Sequence, residues 1–146
     1  MRNMLLAIAI VGSVLSAGFA RCWAAEAAPE GFKSLFDGKT FDGWEGNLKA
    51  FRIEDRAIVG GSLKEKVPRN EFLCTTKSYT NFELRLKFKL LGKGANAGVQ
   101  IRSQRIPNHH EMIGYQADLG DGYWGCLYDE SRRNRVLAGP PPAERG

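Results

Sequence analysis

Between positions 81 and 91 the chain alternates large apolar and charged residues without a break. Phe82, Leu84, Leu86, Phe88 and Leu90 alternate with Glu83, Arg85, Lys87 and Lys89. Successive strand side chains point to opposite faces, so this period of two predicts an antiparallel strand with one buried face, central in the core. Shorter runs surround it. Residues 51–54 and 57–59 predict a hairpin joined by Asp55-Arg56 and ending at Gly60-Gly61. Phe72-Leu73-Cys74 is an apolar strand-like run, and residues 64–70, with Pro68, read as a polar loop. Asp37-Gly38 and Asp42-Gly43 are turn dipeptides around Lys39-Thr40-Phe41. No helical period persists, and several short strands between turn signals predict a sandwich or jelly roll. The tail from Ala138, rich in proline, is expected to be a loop.

Two further runs have a different polar face. In 99–104, Val99 and Ile101 alternate with Gln100 and Arg102. In 113–119, Tyr115, Ala117 and Leu119 alternate with Gln116 and Asp118. A merely solvated face usually carries Lys, Glu and Thr. This one carries planar groups that hydrogen-bond in pairs, beside His109, His110 and several aromatics, which is the composition of a sugar site. The plainer readings are specific too. Arg102 and Asp118 could form a cross-strand ion pair, and the histidines of 107–111 could be solvated in a loop. Asn96 suits a turn, Trp44 and Trp124 suit a sandwich core as well as a sugar face, and 129–133 reads as an exposed charged loop.

Before the first strand the chain changes character. Arg2 precedes an apolar stretch to Ala20, and Ala25-Glu26-Ala27 fits a small-residue cleavage site, with Cys22-Trp23-Ala24 a nearer alternative. Residues 1–27 are therefore read as a signal peptide and 28–146 as one β-sandwich domain, with export to the periplasm or outside and no transmembrane segment in the mature chain. The net charge of +5 includes Arg132, Arg133 and Arg135 close together, a solvated basic turn in this reading. No broad basic face suggests a nucleic-acid partner. Cys74 and Cys126 remain after cleavage and permit a disulfide, though a buried thiol at Cys74 fits as well. No cysteine–histidine spacing indicates zinc.

Motif order adds a resemblance. The segments GFKSLFDGKTFDGW at 31–44, FLCTTKSYTNFEL at 72–84, ANAGVQIR at 95–102 and GYQAD at 114–118 stand in the order of four motifs of one family. From Phe32 to about Leu137 the chain resembles the 3-keto-disaccharide hydrolase domain, once called domain of unknown function 1080. That resemblance implies an all-β, antiparallel concanavalin-like β-sandwich. It also implies a carbohydrate substrate, cleaved at a 3-keto-glycoside bond. Two departures stand out. Gln116 replaces the family's glutamate, with an acid two places on at Asp118. The chain also stops in a proline-rich loop where such domains continue, so an incomplete sandwich, poorly stable alone, is expected.

The chemistry implied by that resemblance follows from the substrate. A C3 ketone acidifies the C2 hydrogen, a base removes it, the aglycone leaves C1 and water adds. Candidate bases are Asp118, Glu111 and His110, with Arg102 on the enolate oxygen. Gln100, Gln116, Asn96 and Trp124 would bind substrate. No organic cofactor is implied, and a divalent metal on His109, His110, Glu111 or Asp121 would be an alternative Lewis acid. A non-catalytic carbohydrate-binding module and an inactive fragment are the competing readings, the first favoured by Gln116.

Overall fold

The computed structural model describes Leu5–Ile8 and residues 28–146. Among these, short strands alternate with turns, and the one helical element is a 3-10 turn at Pro142–Glu144. The strands are β1 (Leu5–Ile8), β2 (Trp44–Gly46), β3 (Phe51–Glu54), β4 (Ala57–Gly60), β5 (Leu73–Thr75), β6 (Asn96–Arg105), β7 (Met112–Gly120), β8 (Leu127–Glu130) and β9 (Arg135–Ala138). A seven-stranded sheet has the order β2-β5-β1-β6-β7-β8-β9, and β3-β4 form a separate hairpin. Every pairing is antiparallel. The architecture is all-β.

The β3–β4 hairpin turns on Asp55 and Arg56, whose φ values of 46° and 61° match the twist a two-residue hairpin loop requires. It brings Phe51 and Ile58 onto Trp44 and Leu73 of the large sheet, with Leu35, Phe36, Phe41 and Ala50 around them. This cluster lies on one face of β5. Trp44 belongs to it, and its indole Nε1 donates to the Leu35 carbonyl at 2.8 Å, so Trp44 is core rather than a sugar platform. On the opposite face Phe72, Cys74 and Met112 pack together. Cys74 and Cys126 are buried free thiols, and burial pushes the Cys74 thiol up to about 11.

Residues 82–90 correct the strongest expectation from the pattern. Among the described residues they join no ladder, and Phe82 and Phe88 are exposed at 39% and 43%. Phe88 stacks on Trp124 and the Arg85 guanidinium lies over the Phe32 ring. The pattern specifies a two-faced strand but not its neighbours, and the place between β5 and β6, the strands that flank this segment in the sequence, is held by β1. Most of the proposed signal peptide lies outside the described residues. Leu5–Ile8 alone is described, as β1.

The charged run 129–133 also differs from its reading as an exposed loop. Leu127–Glu130 is a strand, and Asp129 is fully buried. Its carboxylate accepts from Arg132 Nε and Arg133 Nη1, each at 2.8 Å, and these guanidinium groups hold it below the ordinary carboxylate range. The basic turn is thus tied into the sheet through Asp129.

Candidate functional site

Strands β6 and β7 pair with Gln100 opposite Gln116 and Gly98 opposite Asp118, and β8 continues the row with Tyr128 opposite Gln116. Paired residues share a face, so Gln100, Gln116 and Asp118 lie on one side of the sheet as the alternation predicts, and Asn96, which suited a turn, joins that side as the first residue of β6. Gln100 is fully buried, Gln116 is 9% exposed and Asp118 4%. Gln100 Nε2 donates to Gln116 Oε1 at 3.4 Å, and Gln116 Nε2 donates to Asp118 Oδ1 at 3.2 Å. Ser103 Oγ begins the row by donating to Gln100 Oε1 at 2.7 Å. The hydrogen bonds all run toward the carboxylate.

Glycines make room for this row. A Cβ on Gly98 would overlap the Gln116 side chain, which lies across that position. Gly114 leaves the corresponding space to Ser103. Burial is the largest influence on Asp118 and pushes its carboxyl up to about 6, against the lowering effects of the Leu119 amide and Gln116. Glu130, opposite Gly114 on the same face, is raised first by burial and then by Glu111 and Asp118. Tyr128 is raised by burial, then by Glu130, Tyr123 and Asp118, so its phenol keeps its proton.

Arg102 does not join this row. Between Ile101 and Gln104 the register shifts, Arg102 takes φ 49°, and it is exposed. Alternation assigns position 102 to the polar face. The bulge adds a residue, and Ser103 takes the inward place instead. His110 and Glu111 are also elsewhere. They lie at the β6–β7 hairpin end, about 25 Å along the chain from Asp118 at ~3.3 Å per residue. His110 Nδ1 lies 3.1 Å from the Asn70 carbonyl and 3.5 Å from Glu111 Oε1, and Asn70 Nδ2 donates to Glu111 Oε2 at 3.5 Å. These contacts clamp the hairpin to the 64–70 loop. Beside them a cleft of about 620 Å³ is bordered by Arg69, Glu71, Arg105 and His109.

Trp124 sits in the β7–β8 turn, half-buried against Phe88. Asp121 belongs to the same turn, at the far end of β7 from His109 and His110. The four candidate metal ligands are therefore split between the two ends of a strand. Among the described residues no three His, Cys, Asp or Glu side chains gather as a metal site. Sequence reasoning missed Ser103, Tyr128 and Glu130. Tyr128 and Glu130 carry an alternating signal in 127–130, hidden by its resemblance to a charged loop.

Residues 31–144 match the family described as the 3-keto-alpha-glucoside-1,2-lyase-like domain. The chain belongs to this family. A 3-keto-disaccharide hydrolase from Bacteroides thetaiotaomicron is 33% identical over 86 residues, covering 53% of this chain and 29% of that relative. The chain thus spans less than a third of the relative's length. No solved structure matches it. Across the family match, Gly98, Gln100, Gln116 and Asp118 stand on the two longest strands, inside the matched span.

Proposed function

We propose that this member of the 3-keto-alpha-glucoside-1,2-lyase-like family cleaves the glycosidic bond of 3-keto-glycosides, using the β6–β7 polar row as its site. The observation that carries this reading is Asp118. Its carboxyl is buried at the end of a row of amides with its pKa near 6, so it is ionised at neutral pH yet still basic enough to take a carbon-bound proton acidified by a ketone. In this reading Asp118 takes the C2 proton. The charge passes to the C3 oxygen as an enolate, and the C1–O bond to the aglycone breaks. Water adding across the resulting double bond completes a net hydrolysis.

Gln100 and Gln116 supply amide groups for the enolate oxygen and neighbouring hydroxyls, since each NH2 has a second hydrogen beyond the one used in the row. Tyr128 is the donor to the departing oxygen, supported by its retained proton and its position opposite Gln116. Arg102, His110 and Glu111 have no part in this scheme, being off the row or at the other end of the strand. Export before action is part of the same proposal, supported by the leader pattern of 1–27. Among the described residues no helix is long and apolar enough to cross a membrane.

The test is turnover of a 3-keto-disaccharide in deuterated water, comparing the full chain with Asp118→Asn. The expected result is deuterium incorporation at C2 and a loss of at least ~100-fold in kcat in the variant. Sugar affinity without turnover in either protein would replace the reading with a binding module. Equal turnover by both would remove Asp118 from the chemistry.

A further inference from the structure

We propose that the slot held by β1 in the large sheet is the place of residues 82–90, and that when β1 leaves it they enter as a central strand, setting Lys87 and Lys89 beside the polar row. Three features of the fold agree on this. The first is direction. Strand β1 runs antiparallel to both β5 and β6. Residues 82–90 lie between β5 and β6 in the sequence, so a simple meander through them would fill the slot with the same polarity.

The second feature is register. The chain turns at Lys93-Gly94, where Ala95 N donates to the Gly92 carbonyl at 3.3 Å. Followed outward from that turn, an antiparallel ladder sets Phe88 opposite Val99 and Lys87 opposite Gln100. In the present sheet one row passes from Leu73 through Ile8 to Val99. Phe88 in the place of Ile8 would therefore also face Leu73. The ladder toward β5 then closes at Tyr79 and Phe82, with Thr80-Asn81 as its loop. The Tyr79 and Phe82 rings already meet edge to face at 6.4 Å. Both connections become two-residue loops, the commonest hairpin length.

The third feature is facing. In this register Leu86, Phe88 and Leu90 fall on the face of Leu73 and Val99. Lys87 falls in the row of Cys74 and Gln100, and Lys89 opposite Gly98, which is paired with Asp118. A slip of one residue would reverse both faces. Entry would also bury rings that are exposed at 39% and 43%. It would replace a four-residue strand with one that pairs along most of β6. The value of the lysines to a substrate rests on the proposed function. The strand exchange does not.

The experiment uses the full chain with Lys87→Cys, with and without Ala7→Pro, because a proline in a central strand breaks its ladder. After the exchange position 87 stands directly opposite Cys74, a spacing within disulfide reach. Oxidised glutathione should join 87 to Cys74 in most of the Ala7→Pro protein and in little of the protein with β1 intact, as mapped by peptide mass spectrometry. In the single Ala7→Pro variant, amides of 82–90 should exchange roughly 100-fold more slowly than in wild type. Equal cross-linking with and without β1, no cross-link in either, or pairing with Cys126 as often as with Cys74 would overturn the proposal. So would unprotected 82–90 amides in Ala7→Pro.

Discussion

Asp118 is a buried acid, and its position has a consequence for folding as well as for chemistry. Its folded pKa is raised from 3.8 to about 6, so the native state holds a proton that the unfolded state has already released. Its contribution is fully favourable below pH 3.8 and is lost as pH rises toward and past 6. Thermal melts of the full chain should therefore show a stability decline between pH 4 and 7, which Asp118→Asn flattens. The same titration should set the acid limb of kcat/KM near pH 6 in wild type. A limb well below pH 5 would show that another group is the base. Gly98 tests the row from its other side. Gly98→Ala would force Gln116 out of its place, since a Cβ there overlaps the side chain. The expected cost is about 1–3 kcal/mol in a denaturant melt, with turnover or sugar affinity falling further than stability accounts for.

The bulge in β6 decides which side chains reach the site. Arg102 holds a left-handed backbone conformation that favours glycine, at φ 49°. Arg102→Gly is expected to stabilise the fold by about 1 kcal/mol and to leave turnover near wild type. Loss of turnover without loss of stability would return Arg102 to the site. Opposite the bulge, Gly114 faces Ser103 so closely that any Cβ would overlap its side chain and backbone. Gly114→Ala should lower the melting temperature and break the hydrogen bond from Ser103 to Gln100, visible as a changed Gln100 side-chain resonance. The hairpin of β3 and β4 was fully legible, because a two-residue loop between short alternating runs is a local signal. The bulge was not legible, because it depends on what β7 offers across the ladder.

For the whole molecule, the exposed rings matter most. Phe82 and Phe88 stand partly in solvent, with Leu48 and Leu63 exposed at 53% and 46%. Such surface favours self-association. The full chain is expected to elute later and more sharply in size-exclusion chromatography with Phe88→Ser than without it. No change in elution would show that these rings do not govern association.

Sequence alone determined the all-β class, the β3–β4 turn, the two long strands, and the shared face of Gln100, Gln116 and Asp118. Period-two alternation and turn dipeptides are local, and strand geometry converts them directly into faces. Only the tertiary structure decided that Arg102 leaves that face, that His110 and Glu111 clamp the far end of the hairpin, and that Asp129 anchors the basic turn. It also decided that residues 82–90, the clearest strand in the pattern, stand outside the ladder. Alternation fixes which side chains share a face, but which edge a strand occupies depends on its competitors for the same hydrogen bonds. Those competitors lie far away in the chain, here at Leu5–Ile8.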